Sequence, residues 1–200
     1  MTIHIFGGGT VQHVRNHMAL CAPAFGTTAR RLFDLLGPSI ARLHLTRMAD
    51  YQSSMETNED VAARLQEVLA DPSTRAVVFN VALCDYAGQI GDVISGKYAQ
   101  RLSSREGVQA MNLTPTPKLL QRVKAVRPDV ALVGFKTTAD ASADVQNQLA
   151  LRQFEETGAD VVFANDTVTR HNMLVMHTGM REGSRETMLA ALLTYLRNIE

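Results

Sequence analysis

Ala76-Val77-Val78-Phe79-Asn80-Val81-Ala82 is a valine-rich, almost unbroken apolar run of strand length. A strand with one wet face alternates apolar and polar residues. A run without that alternation suits a strand covered on both faces, the usual situation in a parallel sheet. Four more runs read the same way: Ile3–Phe6, Ile40–Leu45, Val130–Phe135 and Val161–Ala164. The intervening segments carry apolar residues at i, i+3 and i+4. Residues 26–37, 59–70, 116–126, 140–156 and 184–198 therefore read as helices with one apolar face. Alternating strands and helices predict an α/β fold. We expect it to be Rossmann-like, with a mostly parallel central sheet and helices on both faces.

The chain has 200 residues, 46% of them hydrophobic, enough for one buried core. We expect a single domain over residues 1–200. Twenty basic residues balance twenty acidic ones. That leaves no cationic excess for a broad nucleic-acid-binding face, although a local basic pocket stays open. Cys21 and Cys84 are the two cysteines. They are too few for a disulfide scaffold and lack zinc-site spacing, so reduced, partly buried thiols are expected. The first strand begins almost at residue 1, without a charged leader, and no apolar run approaches a membrane span. A cytoplasmic protein is the expectation.

Residues 86–115 break the pattern. They hold Gly88, Gly91, Gly96, Gly107 and Pro115 with Lys97, Arg101 and Arg105. About thirty residues without a clear helix inside a compact domain are usually functional or disordered. This segment reads as a flap, in part a strand pair.

Ligands of parallel α/β sheets sit at the carboxyl ends of the strands. The informative residues fall there. Gly7-Gly8-Gly9-Thr10 follows the first strand, Asp85-Tyr86 the third, Lys136-Thr137-Thr138 the fourth and Asn165-Asp166 the fifth. The glycine loop is either a cradle for phosphate or a tight turn. It is neither a Walker loop nor a full GxGxxG fingerprint. Lys97, Arg101, Arg105, Lys136 and Arg152 are either solvated charges or a converging set that meets a polyphosphate. Asp85 is an acid, a base, a ligand holder or a turn cap. No histidine pattern fits a metal site, and no GxSxG is present. The second strand ends in Thr46-Arg47, not in the acidic ribose reader of a dehydrogenase.

In this order along the chain, the motifs resemble the phosphopantothenate–cysteine ligase family. Gly7-Gly8-Gly9-Thr10 resembles its glycine loop, and Val14-Arg15-Asn16 its arginine–asparagine stretch. Ala82-Leu83-Cys84-Asp85-Tyr86 resembles Ala-Val-Ala-Asp-Tyr, and Arg101-Leu102-Ser103-Ser104 resembles Lys-Ile-x-Ser. Val133-Gly134-Phe135-Lys136 and Ala164-Asn165-Asp166 match two further segments. The chain departs from the family at residues 17–25, where Ser-Ser-Gly is missing. It also departs at Arg101 and Arg152, which stand where lysines are usual.

The resemblance implies ligation in two steps. A carboxylate attacks the α-phosphate of CTP or ATP, with Mg²⁺ screening the phosphates. An acyl nucleotide and pyrophosphate result. The amine of cysteine then displaces the nucleotide from 4'-phosphopantothenate. In this reading Asn16 holds the acyl intermediate, and Arg101 or Lys97 steadies the carboxylate and α-phosphate. Gly7, Gly8, Gly9, Thr10, Ala82, Asp85, Phe135, Lys136, Arg152 and Asn165 form the nucleotide site. No protein-bound metal is expected, and a homodimer paired through the sheet region and flap is implied. A related ligase for another acid or amine, and a nucleotide-binding protein without turnover, are the alternatives raised by the departures.

Overall fold

The computed structural model describes residues 2–199. The elements in chain order are β1 (Thr2–Gly9), β2 (Val11–Arg15), β3 (Met18–Cys21), α1 (Thr27–Leu36), β4 (Ala41–Leu45), α2 (Asn58–Ala70), β5 (Thr74–Ala82) and β6 (Tyr86–Ile90). They continue with β7 (Met111–Pro115), α3 (Leu120–Val126), β8 (Ala131–Thr138), α4 (Ala143–Thr157), β9 (Val161–Asp166), β10 (Asn172–Met176), β11 (Gly179–Gly183) and α5 (Arg185–Arg197). Seven strands form one sheet in the order β11-β10-β9-β8-β5-β1-β4. The five strands from β9 to β4 are parallel, while β10 and β11 extend the sheet antiparallel. The expected α/β class and mostly parallel sheet are what the structure has.

The run that opened the sequence reading shows why. Successive strand side chains point to opposite faces. In β5, Ala76 and Val78 enter one core layer with α1 and α5, packed among Leu32, Leu189 and Leu192. Val77 and Phe79 enter the other layer with α2, α3 and α4, among Val61, Leu65 and Val123. Both faces are dry, so the strand has no polar alternation. Each fully buried Leu or Phe contributes roughly 1.5–3 kcal/mol.

Local signals set the helix starts. Thr57 caps α2, and Asp60 returns the favour to its backbone in a full capping box. Ser142 and Ser184 cap α4 and α5. By contrast, α1 starts at Gly26 in the left-handed region (φ 71°) with no side-chain cap.

Two pieces were not anticipated from sequence. β2 and β3 form a hairpin between β1 and α1. β10 and β11 form a second hairpin at the sheet edge. The flap is a strand pair, β6 with β7, enclosing residues 91–110. A buried Arg15 ties it to the β2–β3 hairpin, donating to the carbonyls of Ile90 and Val93 (3.2 Å to Val93). Among the described residues no helix is long and apolar enough to cross a membrane.

Candidate active site

The direction of connection reverses between β1 and β5. From β1 the chain passes to β4 on one side, while β5 and β8 build outward on the other. Such a switch point leaves a crevice beyond the carboxyl ends of the strands. A cleft of about 780 Å³ opens there. One wall is the segment from Ala22 to Thr28, which enters α1. The floor is the ends of β5, β8 and β9, and the far wall is one face of α4.

Six of the residues picked from sequence line this cleft: Ala82, Asp85, Phe135, Lys136, Arg152 and Asn165. They come from five separate elements or loops, and only the fold brings them together. Phe135 stacks on Phe163 with ring centroids 5.3 Å apart, which gives the floor a rigid apolar base. Asn165 accepts from the Thr137 hydroxyl at 3.3 Å.

The charges alternate in sign. Lys118 pairs with Asp85, and Arg152 pairs with Glu156 at 2.6 Å. The Glu156 hydrogen bond holds the Arg152 guanidinium above its ordinary range. Both pairs are exposed, so each adds little to stability and can exchange partners at low cost. Lys136 makes no ion pair among the described residues. Arg185 reaches in from α5, donates to Thr28 Oγ1 at 2.7 Å and lies 5.6 Å over the Phe163 ring. Partial burial pulls its pKa below the usual arginine value. Lys118, Gln121, Gln153 and Arg185 were missed from sequence. Nothing in their local pattern separates them from ordinary surface residues.

The glycine loop has a different place. Gly7, Gly8 and Gly9 are the last residues of β1, and none of them borders the cleft. A Cβ on Gly9 would stand 2.0 Å from the Ala22 carbonyl oxygen, and one on Gly7 would stand 2.3 Å from the Ala29 methyl. Gly8 has φ 102° and lies against Thr46. The space beside these glycines is filled by the protein's own chain, as in the tight-turn alternative.

Thr10 is buried away from the cleft as well. Its hydroxyl donates to Asn58 Oδ1 at 2.7 Å and accepts from the Cys84 amide at 2.9 Å. Asn58 Nδ2 donates to the Cys84 carbonyl at 2.8 Å, as does the Thr116 hydroxyl at 2.7 Å. This node fixes the turn that presents Leu83 and Asp85. Asp166 plays a similar part behind Asn165. Burial alone would raise its pKa. Backbone amides of Ala141, Thr169 and Val168, with the Thr138 hydroxyl, outweigh burial and hold it well below the usual carboxylate range.

Asn16 and Lys97 lie together, and neither they nor Arg101 are among the residues lining the cleft. Asn16 occupies the tip of the β2–β3 hairpin and donates to the Lys97 carbonyl at 3.3 Å. The Lys97 ammonium is bound to Glu56, which also meets His13 at 3.6 Å and Arg47 at 3.9 Å. The Lys97 hydrogen bond leads the causes that depress the Glu56 pKa. Arg101 is exposed in the flap. No three His, Cys, Asp or Glu side chains among the described residues are placed to hold a metal.

No protein-family profile matches the chain. The coenzyme A biosynthesis bifunctional protein CoaBC of Thermococcus kodakarensis is 31% identical over 114 residues, which are 57% of this chain and 27% of that protein. The DNA/pantothenate metabolism flavoprotein from Streptococcus pneumoniae superposes with a TM-score of 0.83 at 21% identity, over the whole of both chains. The C-terminal domain of CoaBC gives 0.68 at 15% identity, covering 98% of this chain and 96% of that one. A Cab2 mutant in complex with phosphopantothenate-cysteine gives 0.62 at 13%, covering 97% and 86%. The chain is thus a sequence relative of CoaBC over more than half its length and has the fold of the CoaBC C-terminal domain throughout, in keeping with the resemblance its motifs carry.

Proposed function

We propose that the chain is a nucleotide-dependent acid–amine ligase that joins 4'-phosphopantothenate to cysteine in coenzyme A biosynthesis. The observation that carries this reading is the cleft at the switch point, where Lys118, Lys136, Arg152 and Arg185 converge beside a stacked aromatic floor. The kinship with CoaBC supports the choice of reaction.

A nucleoside triphosphate, CTP or ATP, would lie across the ends of β5 and β8 with its phosphates toward Lys136 and Arg152. The first turn of α1 adds unpaired backbone N–H groups on the opposite wall, since Gly26 offers no side-chain cap. Mg²⁺ would arrive on the triphosphate, with Asp85 or Glu156 as the neighbouring carboxylates in the cleft among the described residues. A magnesium ion held by one or two carboxylates plus phosphate oxygens is its usual setting. The protein's own share is positioning and charge stabilisation.

Asn16, Lys97 and Arg101 serve the reacting carboxylate in this reading only if the flap carries them over the cleft. The tie between Asn16 and Lys97, together with the Arg15 anchor, lets hairpin and flap move as one unit. Exposed apolar side chains on the flap, Ile94, Tyr98 and Val108, offer a surface for a second copy. A homodimer in the cytoplasm completes the proposal.

The decisive assay supplies 4'-phosphopantothenate, cysteine, Mg²⁺ and either CTP or ATP, and follows pyrophosphate. Release that depends on both acid and amine supports the ligase. Two observations favour a second reading, binding without turnover: the open position of Asn16 and the apolar Ala22-Pro23-Ala24-Phe25 wall where the family has serines. That reading expects nucleotide affinity and no pyrophosphate with any acid.

A further inference from the structure

Cys21 and Cys84, the chain's only two cysteines, are 63 positions apart in sequence, yet the Cys84 sulfur lies beside the chain next to Cys21, behind the cleft wall. Cys84 is buried at 4% exposure, while Cys21 is exposed at the end of β3. The Cys84 sulfur donates to the Thr10 carbonyl at 3.3 Å and stands 3.7 Å from the Leu20 carbonyl. The amide of Ala22 donates to the same Thr10 carbonyl at 3.0 Å. Leu20 and Ala22 flank Cys21 directly. The sulfur therefore sits against the peptide that enters Cys21, at most roughly 6–7 Å from the Cys21 Cα by covalent geometry. A disulfide needs Cα atoms about 4.4–6.8 Å apart, so closing the bond takes a rotation of both side chains and a shift of the backbone that carries them.

We propose that Cys21 and Cys84 are a reversible dithiol–disulfide pair, oxidised by hydroperoxides, that sets the shape of the cleft. The exposed Cys21 thiolate attacks the peroxide oxygen, its sulfur is oxidised to sulfenic acid, and the peroxide leaves as alkoxide or hydroxide. Cys84 sulfur then displaces the hydroxyl, forming the S–S bond and releasing water. Two thiols and one hydroperoxide thus become a disulfide, one alcohol or water, and one further water. A small-molecule or protein dithiol restores the pair by exchange.

The position links the bond to the site. Cys21 precedes Ala22 and Ala24, and Cys84 stands between Leu83 and Asp85, so all four neighbours line the cleft. To reach Cys21, the Cys84 sulfur must leave the Thr10 carbonyl. The turn held by Thr10 and Asn58 moves with it. Oxidation joins two walls of the cleft through a bond and draws Leu83 and Asp85 from their reduced positions. Bond formation itself does not depend on the ligase reading. Its effect on nucleotide does.

The test uses the full chain, reduced and desalted, then treated with hydrogen peroxide. The expected product has lost about 2 Da, the two thiol hydrogens, and regains them with dithiothreitol. Tryptic mapping without reductant should join peptide 16–30 to peptide 76–97. Cys21→Ser, a surface change, should fold normally and give no joined peptide. A product with oxygen added to Cys21 and Cys84 still free overturns the proposal, as does a Cys21–Cys21 link between copies or no reaction. CTP and ATP titrations of both forms read the consequence. Oxidation should weaken binding by about tenfold, a change of about 1.4 kcal/mol, in the wild type and not in Cys21→Ser. A mapped bond with unchanged affinity overturns the control of the cleft. A mapped bond with no affinity in either form overturns the nucleotide reading and leaves the dithiol pair standing.

Discussion

The side-chain amide of Asn16 donates to the main-chain carbonyl of Lys97, 3.3 Å away, and the Asn16 amide nitrogen donates to Ala99 at 3.0 Å. The hairpin tip and the flap are stitched together at this point, and neither one lines the cleft. The proposed ligase must bring this stitch down over the acyl nucleotide. Asn16→Ala should therefore leave nucleotide affinity within about twofold and lower ligation by about 10²–10³, the usual cost of one lost oxyanion donor. Equilibrium titration and pyrophosphate release measure the two separately. Full ligation by the variant would contradict the role.

Lys136 is half-buried at the cleft and makes no ion pair among the described residues. Its charge is free for a ligand, unlike those of Lys118 and Arg152. Lys136→Ala should weaken triphosphate binding by roughly tenfold or more, since a hydrogen bond to a charged group contributes about 1.5–3 kcal/mol. Thermal stability should barely change. The loss should shrink at high salt, as screening removes the interaction in both proteins. A variant that binds as tightly as the wild type would remove Lys136 from the site.

The turn carrying Asp85 rests on the buried node of Thr10, Asn58 and Cys84. Thr10→Val keeps the shape and deletes the hydroxyl, leaving the Cys84 amide with only the longer 3.2 Å contact to Asn58 Oδ1. We expect a stability loss of about 1–3 kcal/mol from these buried polar groups and weaker nucleotide binding from the displaced turn. Denaturant titration checks the first and calorimetry the second. A variant of native stability would show the node is not what holds the turn.

On the opposite edge, His4 Nδ1 and His44 Nε2 are 2.9 Å apart, and the rings stack with Phe6 beside them. Burial lowers both pKa values, that of His44 to about 4, with the neighbouring charges of His4 and Arg64 adding to the shift of His44. A histidine whose folded pKa lies below its free value near 6.5 binds fewer protons folded than unfolded. Its stabilisation is complete above about pH 6.5 and is lost as the pH falls toward 4. We expect unfolding free energy to drop by on the order of 1–3 kcal/mol across that window. His44→Phe should flatten the slope. An equal slope in the variant would place the acid sensitivity elsewhere.

Much of the fold could be read from β-strands such as Ala76–Ala82 because burial on both faces removes all polar alternation. The helices were equally plain where one apolar stripe faced the sheet, as with Leu189, Leu192 and Leu196. The β2–β3 hairpin was not, because residues 11–21 mix Gln12, His13 and Asn16 with short apolar residues. Its strands hold by contacts with the flap, Arg15 above all, rather than by a local pattern. The edge hairpin β10–β11 escaped for a related reason: β11 is exposed along its whole length. In the site, strand-end residues such as Phe135, Lys136 and Asn165 were legible because topology fixes where strands end. Lys118 and Arg185 were not, since their approach to the cleft depends on how α3 and α5 pack. The glycines left two readings open for a physical reason. Close approach of a backbone to a ligand and close approach of a backbone to Ala22 and Ala29 require the same small residue.

A crystal structure of the protein with CTP or ATP and Mg²⁺ tests the account most directly. It should place the triphosphate between the start of α1 and the ends of β5 and β8, with phosphate oxygens within hydrogen-bonding distance of Lys136. Nucleotide bound on any other face, or side chains from the Ala22–Phe25 wall closing this cleft at saturating nucleotide, would contradict it.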